Sequence, residues 1–268
     1  MSELLVTSAS NPRLKAVSAL RRRRVREEQG LTVVDGHEEL ALALDAGVVP
    51  RTVLHCPELM LDPRAGADLV ARARAAGATT VRCGRAAFEK VSYREGPDGV
   101  LAVVPVAGVA LADLDLPPDP LVLVCEGLEK PGNLGAVLRT ADAAGAAAVL
   151  AADPATDWGN PNVVRASKGT VFTVPVASAS AGEVLAWLRE RGLRLVATTP
   201  DTETVHTEVD YRGAVAVAVG TEKTGLTAPV LEAADERVRI PMHGRVNSLN
   251  ASTAAAVVVY EAERQRRP

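Results

Sequence analysis

The sequence predicts an α/β protein in two parts: a smaller N-terminal α/β unit and a larger C-terminal domain built on a doubly wound parallel sheet. Three observations carry this prediction. Strand-like and helix-like apolar runs alternate along the whole 268-residue chain. Beyond residue 120 the strand-like runs are continuously apolar, as in a parallel sheet buried on both faces. Between the halves, Asp113, Asp115, Pro117, Pro118 and Asp119 mark a linker. The expected division is therefore 1–106, a linker at 107–119, and 120–268, both parts of ordinary domain size.

Taken in order, Asn11 to Gln29 reads as a helix, with Leu14, Val17 and Leu20 on one side and the basic run Arg21 to Arg24. Leu31 to Val34 reads as a strand, Glu38 to Ala46 as a helix stopped by Gly47, and Arg51 to Cys56 as a strand. A helix at Asp68 to Ala76 stopped by Gly77, a strand at Thr79 to Cys83, a short helix at Ala86 to Val91 and a strand at Val100 to Pro105 complete the first part. In the second part, strands are expected at Leu121 to Cys125, Ala147 to Ala151, Leu193 to Thr198, Ala214 to Val219 and Val238 to Ile240. Helices are expected at Gly135 to Ala144, Ala181 to Glu190, Pro229 to Ala234 and Ser252 to Arg264. Ligands of such sheets bind beyond the carboxyl ends of the strands, so the loops there are where a site is sought.

Composition narrows the function. Thirty basic against 33 acidic residues give a net charge of −3, which excludes a uniformly basic nucleic-acid coat. Only 3% of residues are aromatic, too few for a sheet that stacks several bases on rings. Cys56, Cys83 and Cys125 form no C-x-x-C pair, and His37, His55, His206 and His243 have no ligand spacing, so no disulfide framework and no metal site are expected. The start, MSELLVTSASNPRLK, lacks the apolar segment of a signal peptide, and no apolar run is long enough to span a bilayer. A cytoplasmic chain without membrane contact is expected.

Charge is nonetheless unevenly placed. Seven basic residues fall within the first 30 positions, read either as a solvated helix face or as an arm that tracks phosphates. Only five lysines stand against 25 arginines, and three of them, Lys130, Lys168 and Lys223, lie in glycine-containing loops. Lysine is a compact donor that arginine does not replace geometrically.

Three late loops carry residues suited to chemistry. EGLEKPGNLGAVLRT (126–140) places Asn133 and Arg139 after a strand; VGTEKTGL (219–226) sets Glu222 between two glycines; IPMHGRVNSLNAS (240–252) leads through Ser248 and Asn250 into the last helix. None is a Walker A loop, and no G-x-G-x-x-G follows the first strand. The residues alone indicate an α/β enzyme that binds a small ligand through late loops. Each also has a structural reading: Asn133 as a turn or cap residue, Glu222 as a cap of loop amides, and one of Ser248 and Asn250 as the cap of the last helix.

NLGAVLRT (133–140), GTEKTGL (220–226) and IPMHGRVNSLNAS (240–252) resemble, in order and spacing, the three motifs of the SpoU/TrmH branch of the SPOUT RNA methyltransferases. NPNVVRASKGTVFTVPV (160–176) is similar to the segment between the first two motifs. LTVVDGHEELALALDAG (31–47) through PDGVLAVV (97–104) resembles the L30e-like substrate-binding domain that many members carry. Two departures stand out: Asn162 where a Lys is frequent, and Asp35 where a Glu more often precedes the glycine.

The resemblance implies a C-terminal trefoil-knot domain, a homodimer, and S-adenosylmethionine as cofactor. It places that cofactor against Thr198, Thr199, Gly220, Ile240, Met242, Ser248 and Leu249. It assigns the catalytic and supporting polar positions to Asn133, Arg139, Glu222, Ser248 and Asn250. RNA contacts are expected at Arg13, Lys15, Arg21, Arg22, Arg165 and Lys168. The implied reaction is methyl transfer to a ribose 2′-hydroxyl of RNA, with ribosomal RNA favoured over transfer RNA; a non-catalytic RNA-binding or ribosome-assembly protein of the same fold is the alternative. A guanidinium does not give up its proton in proteins, so Arg139 is read as a phosphate anchor and alkoxide stabiliser rather than a base.

Overall fold

The computed structural model describes residues 5–246 and 248–267. Its first stretch holds β1 (Leu5–Val6), α1 (Pro12–Ala19), α2 (Arg23–Gln29), β2 (Leu31–Asp35), α3 (His37–Asp45), β3 (Thr52–His55), α4 (Pro63–Ala75), β4 (Thr79–Cys83), α5 (Arg85–Val91) and β5 (Val100–Pro105). The strands form a mixed sheet in the order β1-β4-β3-β5-β2. β4 pairs parallel with β1 and β3, and β5 runs antiparallel to β3 and β2.

The single helix expected over 11–29 is two. The Asn11 side chain accepts from Arg13 N at 2.9 Å and Pro12 fills the first position, so α1 starts where expected. It stops at Ala19 because the Arg26 guanidinium, buried, donates to the carbonyls of Leu20 and Arg21 at 3.0 Å each. Those bonds satisfy carbonyls at the helix end and fix the turn into α2. α4 begins earlier than the expected Asp68, because Asp62 accepts from Arg64 N and Ala65 N and Pro63 opens the first turn.

The later stretch holds β6 (Leu121–Glu126), α6 (Pro131–Ala143), β7 (Ala148–Ala152), α7 (Pro161–Ala166), β8 (Val176–Ala179), α8 (Ala181–Glu190), β9 (Arg194–Thr198), β10 (Val215–Val219), α9 (Ala228–Ala233), β11 (Glu236–Val238) and α10 (Ala251–Arg266). Six strands form an all-parallel sheet in the order β11-β9-β10-β6-β7-β8. β6, β7 and β10 are buried at every residue, which explains their unbroken apolar character. β11 sits two residues earlier than the expected 238–240.

The chain divides into two compact units: residues 1–107 with 157–173, and residues 108–156 with 174–268. Residues 157–173, which include α7, thus belong with the first unit although they lie in sequence between β7 and β8. Within that unit Arg26 Nε and Nη2 donate to Asp157 at 3.0 and 2.5 Å, and the Thr32 hydroxyl donates to the Gly159 carbonyl. The core of the second unit gathers Val122, Val124, Leu150, Leu195, Ala216 and Leu226. α10 packs on α6 and β10 and buries Ala255, Val258, Val259 and Ala262; Ala254 and Val257 stay half-buried.

Candidate active site

The sheet of the second unit reverses its strand order between β6 and β10. From β6 the chain steps outward to β7 and β8, and on the other side β10 is followed outward by β9 and β11. β6 and β10 are parallel neighbours with Cys125 level with Val219. The loops that leave their carboxyl ends therefore meet at the end of the sheet where ligands of open parallel sheets bind.

The loop after β10 is tightly built. Thr221 N donates to Gly225 O at 3.1 Å and Gly225 N returns to Thr221 O at 3.0 Å, with Gly225 at φ +67°. A Cβ on Gly220 would lie 2.2 Å from the carbonyl carbon and oxygen of Gly225, so only glycine closes this loop. Beyond it, Thr227 donates its amide and hydroxyl to the buried carboxylate of Glu126 at 2.8 and 2.6 Å, tying the loop's exit to the end of β6.

At the loop tip, Glu222 collects three side-chain donors. Lys130 Nζ reaches Oε2 at 2.6 Å, Asn133 Nδ2 reaches Oε1 at 3.1 Å, and Asn250 Nδ2 also donates to Oε1. Asn250 Nδ2 further donates to Asn133 Oδ1 at 3.0 Å, while its own Oδ1 accepts from Ser252 N at 3.0 Å and caps α10. The three late motifs thus converge on one carboxylate. The Lys130 ammonium, then the Asn133 amide, hold the Glu222 carboxyl below the usual range, so it stays ionised through neutral pH.

Beside this cluster lies a cavity of about 420 Å³. Thr198, Thr199, Gly220, Ile240, Met242, Ser248 and Leu249, the seven residues expected to hold the cofactor, all line it, together with Glu222, Asp201 and Lys223. Its volume suits a small organic ligand. Apolar walls at Val219, Ile240, Met242 and Leu249 fit an aromatic base. Carboxylates at Asp201 and Glu222 with an ammonium at Lys223 fit a ligand bearing charges of both signs. The donor set is that expected for S-adenosylmethionine. Among the described residues no group of three His, Cys, Asp or Glu is placed to hold a metal ion.

Of the five polar positions expected to be catalytic or supporting, the structure joins Asn133, Glu222 and Asn250 by hydrogen bonds and sets Ser248 in the cavity wall. Arg139 is exposed on α6, with no side-chain partner among the described residues, and is not part of the cavity wall. α6 starts at Pro131 with Lys130 as its cap, not at Gly135. Asn133 is therefore inside the first turn rather than a cap, and Arg139 lies beyond the second turn. At that position Arg139 is outside the helix-dipole field, which fades within the first turn.

The six expected RNA contacts all fall in the first unit. Arg13, Lys15 and Arg22 are exposed, with no side-chain partner among the described residues, and so is Arg165 on α7. Arg21 is committed: it donates to Ser92 O at 2.8 Å and lies over the Tyr93 ring at 4.7 Å. Lys168 pairs with Glu38 at 3.4 Å. Arg23 and Arg24 pair with Glu27 and Glu28, each at 2.7 Å, and Arg26 is buried, so the basic run is less free than its sequence suggests.

Two site residues were not singled out for these roles by motif reading. Glu126 left no signal beyond a carboxylate ending an apolar strand. Lys130 left one: a lysine kept in a loop of a chain that otherwise uses arginine.

Comparison with known proteins gives the same picture. Residues 120–260 match the SpoU rRNA Methylase family, and residues 11–102 match the MRM3-like substrate binding domain. A tRNA/rRNA methyltransferase of Synechocystis sp., itself uncharacterized, is 32% identical over 97% of this chain and 94% of its own length. The crystal structure of an RNA 2′-O ribose methyltransferase is 42% identical, with a TM-score of 0.85 over 98% of this chain and 99% of that one. An AdoMet-bound rRNA methyltransferase from Sinorhizobium meliloti is 29% identical, with a TM-score of 0.88 over 97% of each chain.

Proposed function

The chain belongs to the SpoU rRNA methylase family and is an S-adenosylmethionine-dependent RNA 2′-O-methyltransferase, and from that premise we propose that its substrate is ribosomal RNA, methylated beside the cavity at the carboxyl ends of β9, β10 and β11. The observation that carries the site assignment is the convergence of Asn133, Glu222 and Asn250 beside the cavity. The RNA-facing surface in this reading is that of Arg13, Lys15, Arg22 and Arg165, with a cytoplasmic location following from the substrate.

S-adenosylmethionine supplies, when bound, a methyl group already activated on a sulfonium. Thr198, Thr199, Gly220, Ile240, Met242, Ser248 and Leu249 bind and orient it, and the closed loop at 220–226 limits water access. Asn133 and Asn250 fix the Glu222 carboxylate, which in turn fixes the loop. Arg139 anchors a phosphate of the RNA and stabilises charge developing on the 2′-oxygen, while a neighbouring phosphate or water takes the proton. The chain works as a homodimer through the α10 side that carries half-buried Ala254 and Val257 and exposed Tyr260; light scattering on the eluted protein tests this.

The deciding experiment incubates the protein with labelled S-adenosylmethionine and separate ribosomal and transfer RNA pools. Label entering ribosomal RNA at a site resistant to alkaline cleavage is expected. Label in transfer RNA alone would overturn the substrate, and cofactor binding without transfer to either pool would leave a non-catalytic RNA-binding protein.

A further inference from the structure

We propose that Lys130 is a positioning residue that latches the tip of the 220–226 loop over the cofactor cavity, a role that rests on the reading of that cavity given above. The loop is fastened elsewhere by the Thr221–Gly225 pairing at its neck and by Thr227 on the buried Glu126 at its exit. Its tip is held mainly through the Glu222 side chain. Glu222 is held there by three side chains, Lys130 on Oε2 and the Asn133 and Asn250 amides on Oε1, together with the Ala251 backbone amide at the start of α10.

The division of the carboxylate explains why a lysine stands at 130. An ammonium is a point donor that satisfies Oε2 and leaves Oε1 to the two amides. A guanidinium is a planar fork that engages both oxygens of a carboxylate. At this position it would compete with Asn133 and Asn250 for Oε1 and loosen the junction between the first and third motifs. In a chain with 25 arginines and five lysines, the compact cation sits where the fork would do harm.

The Lys130 side chain is 68% accessible and that of Glu222 27%, so loss of the pair costs the fold little and is felt at the loop. Lys130 does not line the cavity and acts only through Glu222.

The test compares the full-length wild type with Lys130→Met and Lys130→Arg, each also in a Glu222→Gln background. Amide hydrogen exchange is read across 220–226 without cofactor, and S-adenosylmethionine affinity is read by calorimetry. Lys130→Met is expected to speed exchange in 220–226 while β6 and β10 keep their protection, and to weaken cofactor binding about fivefold, the upper range for one exposed pair. Lys130→Arg is expected to weaken it too, and neither change should add to Glu222→Gln. Unchanged exchange and affinity in Lys130→Met, or an equal loss in the Glu222→Gln background, would overturn the latch. A wild type that fails to bind S-adenosylmethionine would overturn the cavity assignment instead, and the exchange comparison would still decide the latch.

Discussion

Arg26 and Asp157, 131 residues apart in sequence, form a two-pronged ion pair within the first unit, with Nε and Nη2 donating at 3.0 and 2.5 Å. The arginine is 3% exposed and uses its remaining nitrogen on the carbonyls of Leu20 and Arg21, so every prong of its fork is engaged. Removing Asp157 leaves the Arg26 guanidinium buried without its counter-charge, and removing Arg26 leaves Asp157 only a long 4.0 Å contact with Arg23. Arg26→Ala and Asp157→Asn should each destabilise this unit by about 3–5 kcal/mol, against under about 1 kcal/mol for Arg24→Ala on the exposed side of the same helix. Urea denaturation decides it: equal midpoints for Arg26→Ala and Arg24→Ala would mean that the pair does not hold residues 157–173 in place.

Gly220 is the tightest point of the 220–226 loop. A methyl group there would fall 2.2 Å from the Gly225 carbonyl, which is backbone and cannot swing aside. Gly220→Ala should open the Thr221–Gly225 pairing, cost about 1–3 kcal/mol of stability, and weaken S-adenosylmethionine binding more than tenfold. Calorimetry on a variant shown by circular dichroism to be folded reads the effect; affinity within twofold of wild type would show that the loop closes without this approach.

How far the sequence carried the reading depended on the length of each element. β6, β7, β9 and β10 are five or six residues each and mostly apolar, and their burial on both faces leaves a visible trace. α7, β1 and β8 are six, two and four residues, too short for a period to register, and their form is set by packing. Arg26 looked like its basic neighbours; what buries it is the turn between α1 and α2. The motifs marked Asn133, Glu222 and Asn250, yet their meeting depends on β6 lying beside β10, a strand order that no periodicity encodes. Residues 157–173 were missed as part of the first unit for the same reason: the partner of Asp157 is chosen by tertiary structure.

Asp35 ends β2 with its carboxylate buried, and burial raises its pKa above the ordinary value despite bonds from the Ser92 hydroxyl and the Tyr93 and Arg94 amides. A raised folded value means that the native state holds the proton more tightly than the unfolded chain does. The contribution is therefore fully present below the unfolded value near 3.8 and is lost as pH rises through the higher folded value. Comparing wild type with Asp35→Asn by urea denaturation from pH 7 down to about 4, the difference should move in favour of the wild type as pH falls. A difference that is flat or moves the other way would show that Asp35 is ionised as readily in the fold as outside it.

On the proposed mechanism, substitutions of Arg139 should separate binding from chemistry. Its guanidinium is exposed on α6, outside the cavity wall, and has no side-chain partner among the described residues, so its removal leaves neither a void nor an orphaned charge. Arg139→Ala should keep S-adenosylmethionine affinity within about twofold and the melting temperature nearly unchanged, while methyl transfer falls by about 10²–10³, the range for losing one donor to developing negative charge. Arg139→Lys keeps the charge but loses the planar fork, and should recover little of the rate if two oxygens are gripped at once. Single-turnover transfer to ribosomal RNA with saturating cofactor reads this directly. Turnover close to wild type in Arg139→Lys would reduce the role of Arg139 to a diffuse positive charge near the RNA, because only the geometry of the donor, and not its sign, differs between the two side chains.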